Sequence, residues 1–360
     1  MNRQQHRDIV TGKDNSTSAQ FLRSSLRLSS VFYGMGVSLR NRLFDSGLRK
    51  VTKLPHPVVS VGNLTAGGTG KTPHVIWVAG QLQAMGLHPA VLLRGYVPRH
   101  AQSANDQGSD ETLLLQQALG DDVPVQANPN RVLGSQQVLV RDAGVNVFVL
   151  DDGFQHRRVH RDVDLLLIDA TSPFGLGRLL PAGFLREPVR GLRRAHAIVL
   201  TRSDLVPPEL LESIEKRLVQ LGAPAIIAHS QSQWAGLLDA TGINHELATL
   251  QSKKIAAVCG IGNPTQFKSM LARHFKEVVG QYELEDHQSY NPKLVQQIMD
   301  HAVSQGALAL VLTEKDWVKW QPATKAMNLP LPVYRLVLEV NITRSQTELV
   351  ELLRKHCLKS

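Results

Sequence analysis

Residues Gly67-Gly68-Thr69-Gly70-Lys71-Thr72 follow the apolar stretch His56-Pro-Val-Val-Ser-Val-Gly62 and precede a helix-forming one, Pro73 to Met85. A strand that hands over to a helix through such a turn constrains this chain more than any other feature. Consecutive backbone N–H groups and the helix N-terminus can surround phosphate oxygens there. A lysine adds a mobile positive charge, and a Ser/Thr hydroxyl can ligate magnesium. The pattern is a P-loop and predicts a nucleotide-binding phosphotransferase. Lys71 and Thr72 hold the lysine and hydroxyl places, and Thr65, Ala66, Gly67, Gly68, Thr69 and Gly70 form the cradle. The strict pattern has Gly five residues before Gly70, where this chain has Thr65.

The surrounding sequence fits that reading. Pro89 to Arg94, Asn146 to Asp151, Val163 to Asp169, Ala197 to Thr201 and Ala225 to Ala228 are short apolar runs separated by helix-forming segments such as Glu111–Ala118 and Pro207–Leu221. Such runs imply a parallel sheet covered on both faces. A second α/β block follows, with strands at Lys254–Cys259, Ala307–Leu312 and Val333–Val337, and a closing helix at Thr347–His356. The expected fold is α/β: a P-loop NTPase-like parallel-sheet lobe, a second and smaller α/β lobe, and an N-terminal amphipathic helix. The 360 residues suit about two domains at roughly 150 residues each. The expected division is a disordered extension over 1–20, a membrane-associating helix over 21–50, a P-loop kinase domain over 51–228, a second α/β domain over 229–345 and a C-terminal helix over 346–360.

Residues 21–44 carry Leu28, Phe32, Met35 and Leu39 at helical spacing, flanked by Arg23, Arg27, Arg40 and Arg42. The charge-free run is too short to span a bilayer, which takes ~20 apolar residues. It reads either as a basic amphipathic helix lying in a membrane interface or as a helix packed on the domain core. Gly34 and Gly36 lower its helix propensity. The net charge of +9 favours anionic partners. With 5% aromatic residues and none interleaved with the basic clusters, nucleic acid is not an expected partner. Cys259 and Cys357 have no metal-ligand spacing, which excludes a disulfide scaffold or zinc module.

P-loop enzymes hold magnesium with an acid at the end of a neighbouring strand. Asp151 and Asp152 sit at such a strand end, and Asp169 is a weaker rival. Thr201-Arg-Ser-Asp204 resembles the element by which GTPases read guanine, with Arg in place of Lys; a strand-end turn is the other reading. Arg157, Arg158 and Arg161, and then Arg186, Arg190, Arg193 and Arg194, could form solvated faces or bind an anionic substrate or headgroup. Glu285-Asp286-His287-Gln-Ser-Tyr290 is a polar cluster in the second block.

Together these residues identify one family. Ser60-Val-Gly-Asn-Leu-Thr-Ala-Gly-Gly-Thr-Gly-Lys-Thr-Pro73 closely resembles the P-loop of the tetraacyldisaccharide 4'-kinase (lipid A 4'-kinase) family, which also carries the Thr found here at 65. Further matches are Tyr33-Gly34, Ser109-Asp110-Glu111, Asp151-Asp-Gly-Phe-Gln-His156, Leu185-Arg-Glu-Pro188, Asp286-His287 with Tyr290, and Thr313-Glu-Lys-Asp316. Thr112 departs from the Pro that commonly follows the Asp-Glu pair, and the first twenty residues have no counterpart.

The resemblance implies ATP- and Mg2+-dependent phosphorylation of the 4'-hydroxyl of tetraacyldisaccharide 1-phosphate to give lipid IVA. It implies a peripheral enzyme on the cytoplasmic face of the inner membrane, with an anionic membrane surface as partner and no obligate protein partner. It also implies roles: Asp110 and His287 as a catalytic dyad, Glu111, Asp151 and Asp152 as acids near magnesium and the reacting phosphate, and Gln155, His156 and Arg186 as headgroup contacts. Such a dyad can orient and deprotonate the sugar hydroxyl. With Asp110 in one lobe and His287 in the other, lobe closure would assemble it. The competing expectations are a P-loop GTPase of the metallochaperone type, resting on Thr201–Asp204, and a membrane-surface binding module.

Overall fold

The structure is a computed structural model; it describes residues 3–95, 110–261, 264–285, 288 and 290–358. The chain divides into two compact units, residues 1–94, 121–231 and 341–360 in the first and 95–120 and 232–340 in the second.

The first unit begins with two helices, α1 (Arg3–Thr11) and α2 (Thr17–Asp45). It continues through β1 (Val58–Asn63), α3 (Lys71–Ala84) and β2 (Pro89–Leu93). After α4 (Asp110–Leu119), which belongs to the second unit, come β3 (Val125–Ala127), α5 (Arg131–Arg141), β4 (Val147–Asp151), β5 (Val163–Asp169), β6 (Ala197–Thr201) and α6 (Pro208–Gln220). The long strand β7 (Ile226–Asp239) starts in this unit, where it pairs with β6. The sheet runs β7-β6-β5-β1-β4-β2-β3, with all these pairings parallel. Strands β1, β2, β4 and β6 are buried along their whole length, as expected for a sheet covered on both faces. Helix α3 carries the chain from β1 past β4 to β2, while β5 lies on the other side of β1. The C-terminal end of β1 is therefore a switch point in strand order, where open α/β sheets bind ligands.

The second unit contains β8 (Asn244–His245), α7 (Ala248–Gln251), β9 (Lys254–Cys259), α8 (Pro264–His274), β10 (Glu277–Glu283), α9 (Pro292–Ser304), β11 (Ala309–Thr313) and α10 (Glu314–Thr324). Its parallel sheet runs β10-β9-β11-β12, where β12 is Val333–Arg344, and α11 (Gln346–Cys357) closes the chain in the first unit. One core cluster packs Trp317, Trp320, Met299 and Leu310, and another packs Trp234, Phe267 and Leu271.

Two expectations need correction. Residues 1–20 are not an unstructured extension among the described residues. Ile9, Val10 and Ala19 are buried, and the His6 ring lies 2.8 Å from the Pro181 carbonyl oxygen. Two adjacent apolar residues in a polar segment give too little periodicity to reveal such a helix. Residues 110–119 do not belong with the P-loop domain either: α4 buries Thr112 and Leu115 and packs on α10.

Helix α2 is continuous for 29 residues despite Gly34 and Gly36. A Cβ at Gly34 would meet Leu179 Cδ1 at 2.7 Å, so that glycine permits close packing. Ser30, Gly34, Val37 and Phe44 are buried, while Phe21, Leu28, Val31, Phe32, Met35 and Leu39 are exposed. The helix therefore packs on its unit by one face and leaves an apolar face uncovered. No helix among the described residues is long and apolar enough to cross a membrane.

Candidate active site

The P-loop leaves β1 at Asn63 and enters α3 at Lys71, with Gly70 in a left-handed conformation at φ 82. Its carbonyls are held from outside. The Asn63 amide donates to the Thr65 carbonyl at 2.8 Å and to Thr69 Oγ1 at 2.9 Å. Arg202 Nη2 donates to the Gly68 carbonyl at 2.7 Å. His74 Nδ1 lies 2.7 Å from the Gly70 carbonyl, where it must be the donor, so Nε2 accepts from Ser230 Oγ at 2.9 Å. Burial, opposed by the Gly70 bond, pushes the His74 imidazole down from 6.5 to about 4, so it is neutral at neutral pH. Thr65 bridges to Leu185 and leaves so little room that a Cβ at Gly175 would meet its Cγ2 at 3.0 Å. The residue that breaks the strict pattern is thus used to seat the loop on the 175–185 segment.

The paired acids lie on the neighbouring strand. Asp151 ends β4 and is buried; Asp152 follows with a left-handed φ of 53. Gly153 lets this turn close on β1: a Cβ there would stand 2.5 Å from Ser60 Oγ, and a Cβ at Gly62 would stand 2.6 Å from Phe154. Arg186 Nη1 donates to Asp152 Oδ1 at 2.8 Å and Oδ2 at 2.7 Å, and Lys71 Nζ lies 3.8 Å from Oδ1. Burial alone would raise the Asp152 carboxyl, but the Lys71 and Arg186 charges outweigh it and hold the group below the usual carboxylate range.

Gln155 sits behind Arg186. Its amide donates to the Asn63 carbonyl at 2.8 Å and to Glu187 Oε1 at 2.9 Å, and its Oε1 accepts from Arg186 at 3.4 Å. Glu187, fully buried, also accepts from Arg194 at 2.9 Å and from Asn41 of α2 at 3.1 Å. The His156 imidazole is pushed down to about 4, first by burial and then by Arg131, Arg161, Arg158 and Arg94.

Lys71, Asp152, Gln155 and Arg186 thus form one connected cluster, with Asp151 and His156 beside Asp152 and Gln155 in the chain. Asp110 and Glu111 open α4 in the second unit, where Asp110 Oδ2 is paired with Lys319 Nζ at 3.2 Å. The expectation that Asp110 and the segment around 287 occupy different lobes is therefore corrected: residues 95–120 and 232–340 share a unit. His287 itself lies outside the described residues.

Sequence reasoning did not single out Arg131, His74 or Glu187, and assigned Arg202 only to a weak guanine motif. Arg131 is buried at the start of α5, and the charges of Asp151 and Asp152 act on it. Arg202 pairs closely with Asp169 as well as with Gly68, which gives the Thr201–Asp204 element a structural use. Arg202 with Gly68, His74 with Ser230 and Glu187 with Asn41 each join residues over a hundred positions apart, so local patterns carry no signal for those contacts.

A P-loop at the C-terminal end of the central strand, with a cation-bound acid on its neighbour, defines an α/β phosphotransferase of the P-loop class. The chain matches the tetraacyldisaccharide-1-P 4'-kinase (LpxK) family over residues 22–358 and belongs to that family. It is 38% identical over 310 residues to a tetraacyldisaccharide 4'-kinase of Chlorobaculum tepidum, covering 82% of this chain and 85% of that one. It is 35% identical over 345 residues to one of Geobacter sulfurreducens, covering 93% and 94%. The fold resembles a solved structure of LpxK from Aquifex aeolicus in complex with ATP, with a TM-score of 0.75, 30% identity and coverage of 93% of this chain and 99% of that one.

Proposed function

We propose that this enzyme transfers the γ-phosphoryl group of ATP to the 4'-hydroxyl of tetraacyldisaccharide 1-phosphate, giving lipid IVA. The observation that carries the reading is the Lys71–Asp152–Arg186 ion cluster, which joins the P-loop to the Asp151–His156 block that resembles the family's. Phosphoryl transfer needs positioning and charge neutralisation more than covalent chemistry. The P-loop amides and Lys71 hold the β- and γ-phosphates, and the outward anchoring of the loop's carbonyls keeps its shape. Arg186 is bound to Asp152 and can exchange that partner for a substrate anion, with Gln155 and His156 as neighbouring headgroup contacts.

Thr72 and Asp151 fit magnesium: both offer hard oxygens, and magnesium takes one or two carboxylates together with substrate phosphates. Asp152 is the poorer ligand because Arg186 and Lys71 already engage both its oxygens. Glu111 remains a further candidate acid. When bound, the ion would neutralise charge on the phosphates. Asp110 and His287 orient and deprotonate the sugar hydroxyl.

The exposed apolar face of α2 borders an open cavity of about 680 Å3 whose lining includes Arg27, Arg42, Arg178, Val31, Met35 and Leu179. Apolar walls with basic residues among them suit an acylated anionic lipid and an anionic membrane surface. We place the enzyme peripherally on the cytoplasmic face of the inner membrane.

Incubation with labelled ATP and tetraacyldisaccharide 1-phosphate should yield a labelled 4'-phosphorylated product, and Lys71→Ala should lower kcat at least about 100-fold. Absence of transfer by the wild-type enzyme would refute the assignment. His287→Ala should lower kcat far more than it alters ATP affinity.

A further inference from the structure

Helix α10 makes two anchoring contacts one turn apart. At its start, the buried Asp316 accepts from the Gly260 amide at 3.0 Å and from the Tyr290 hydroxyl at 3.0 Å, and Thr313 caps the helix by accepting from the Asp316 amide at 3.1 Å. Three residues on, Lys319 Nζ lies 3.2 Å from Asp110 Oδ2. Its side chain is only 10% exposed and Asp110's 31%, so the ammonium is largely shielded from water while the carboxylate is partly open.

The remainder of α4 is held on the same unit by other means. Thr112 and Leu115 are buried, and Gln117 accepts from Arg335 at 3.0 Å. Docking α4 therefore does not require a charge at position 319. Burying an ammonium costs several kcal/mol before its partner compensates it, and an apolar side chain of similar volume would dock the helix at less cost. The cation is explained by what it holds: the carboxylate of the first residue of α4, 3.2 Å away.

We propose that Lys319 is a positioning residue for phosphoryl transfer. It fixes the Asp110 carboxylate through their ion pair, while Asp316 on the same helix ties down Tyr290. In this arrangement α10 is the common frame for Asp110 and Tyr290. Lys319 touches neither nucleotide nor sugar in this role; it acts through Asp110. The inference rests on the proposed catalytic role of Asp110.

The test is a double-mutant cycle on Asp110→Asn and Lys319→Met, with Lys319→Arg as the charge-conserving control, read as kcat and KM for each substrate. Displacing a catalytic group by about 1 Å can cost 100-fold, so Lys319→Met should lower kcat by roughly 10- to 100-fold. The KM for ATP should stay within about twofold, because the P-loop lies in the other unit. Lys319→Arg should restore most of the rate. In the Asp110→Asn background, Lys319→Met should have no further effect, since the group it positions is gone. A wild-type kcat in Lys319→Met, or an undiminished loss in the Asp110→Asn background, would overturn the inference. A wild-type kcat in Asp110→Asn would instead remove the catalytic reading of Asp110. If circular dichroism shows that Lys319→Met does not fold, Lys319→Gln keeps a donor without the charge and enters the same cycle.

Discussion

His74 shows how a single residue can tie chemistry to stability. It is buried, neutral and bonded to the carbonyl of the P-loop residue that caps α3. The backbone bond from the His74 amide to that carbonyl is stretched to 3.4 Å, so the side chain supplies the shorter contact. A histidine lowered from 6.5 to about 4 binds fewer protons folded than unfolded between those values. Its contribution to stability is therefore complete above pH 6.5 and is lost as pH falls toward 4, by an amount on the order of 3 kcal/mol. His74→Gln can keep the bond to Gly70 without the titration. Urea unfolding at pH 7.5 and pH 4.5 should show a smaller loss of stability in His74→Gln than in the wild type; equal losses would contradict the assignment. Gly153 gives a second prediction at this scale. A methyl group there would collide with Ser60 Oγ and with Leu150 Cβ at 2.8 Å, so Gly153→Ala should cost about 1–3 kcal/mol and lower Tm in thermal melts. The local motifs were legible in sequence because P-loop residues and the Asp151–His156 block are contiguous. The outer contacts that shape them, from Arg202 to Gly68, Ser230 to His74 and Asn41 to Glu187, come from distant parts of the chain and appear only once the sheet is assembled.

At the scale of elements, α2 joins an exposed apolar surface to the cluster of Asp152, Gln155 and Arg186. Its Tyr33 hydroxyl donates to the Arg186 carbonyl at 2.8 Å, its Asn41 amide donates to Glu187, and Arg157 donates to the Asn41 carbonyl at 3.1 Å. Deleting residues 21–44 would remove these bonds along with any membrane anchor, so loss of activity in that variant could not separate the two. Phe32 and Met35 are exposed and enter none of these bonds. Phe32→Glu with Met35→Glu should therefore weaken binding to anionic vesicles in flotation assays while leaving Tm within a few degrees. Undiminished flotation would count against α2 as the anchor. The helical spacing of Leu28, Phe32, Met35 and Leu39 revealed this element. Its glycine at position 34 reads as a weakness in sequence, because the Leu179 side chain that needs the space lies 145 residues away. Helix α4 was likewise legible as a helix, but its membership was not: an amphipathic pattern specifies that a face is buried and leaves open which surface buries it.

For the whole molecule, the division into two units with their own cores separates nucleotide binding from Asp110. Lys71, Thr72 and the rest of the P-loop belong to the first unit, whereas Asp110, Glu111 and Lys319 belong to the second. The succession of strands and helices along the chain, and hence two α/β blocks, followed from the alternation of apolar runs and helices; the transfer of residues 95–120 did not, because it depends on what α4 packs against. A ligand that binds only the folded first unit stabilises that unit by mass action, by about 2.7 kcal/mol at a hundred times its Kd. The four tryptophans allow this to be read by unit. Trp234, Trp317 and Trp320 are buried in the second, and Trp77 lies on α3 in the first. Saturating ATP should raise the unfolding midpoint of the first unit, followed by hydrogen exchange of α3 and β1. The transition detected by tryptophan fluorescence, dominated by the second unit, should move less. Lys71→Ala should abolish the first shift, because the phosphate-binding charge is removed while the buried strands around it are unchanged. An equal ATP-induced shift of both transitions would mean that the two cores unfold as one cooperative body.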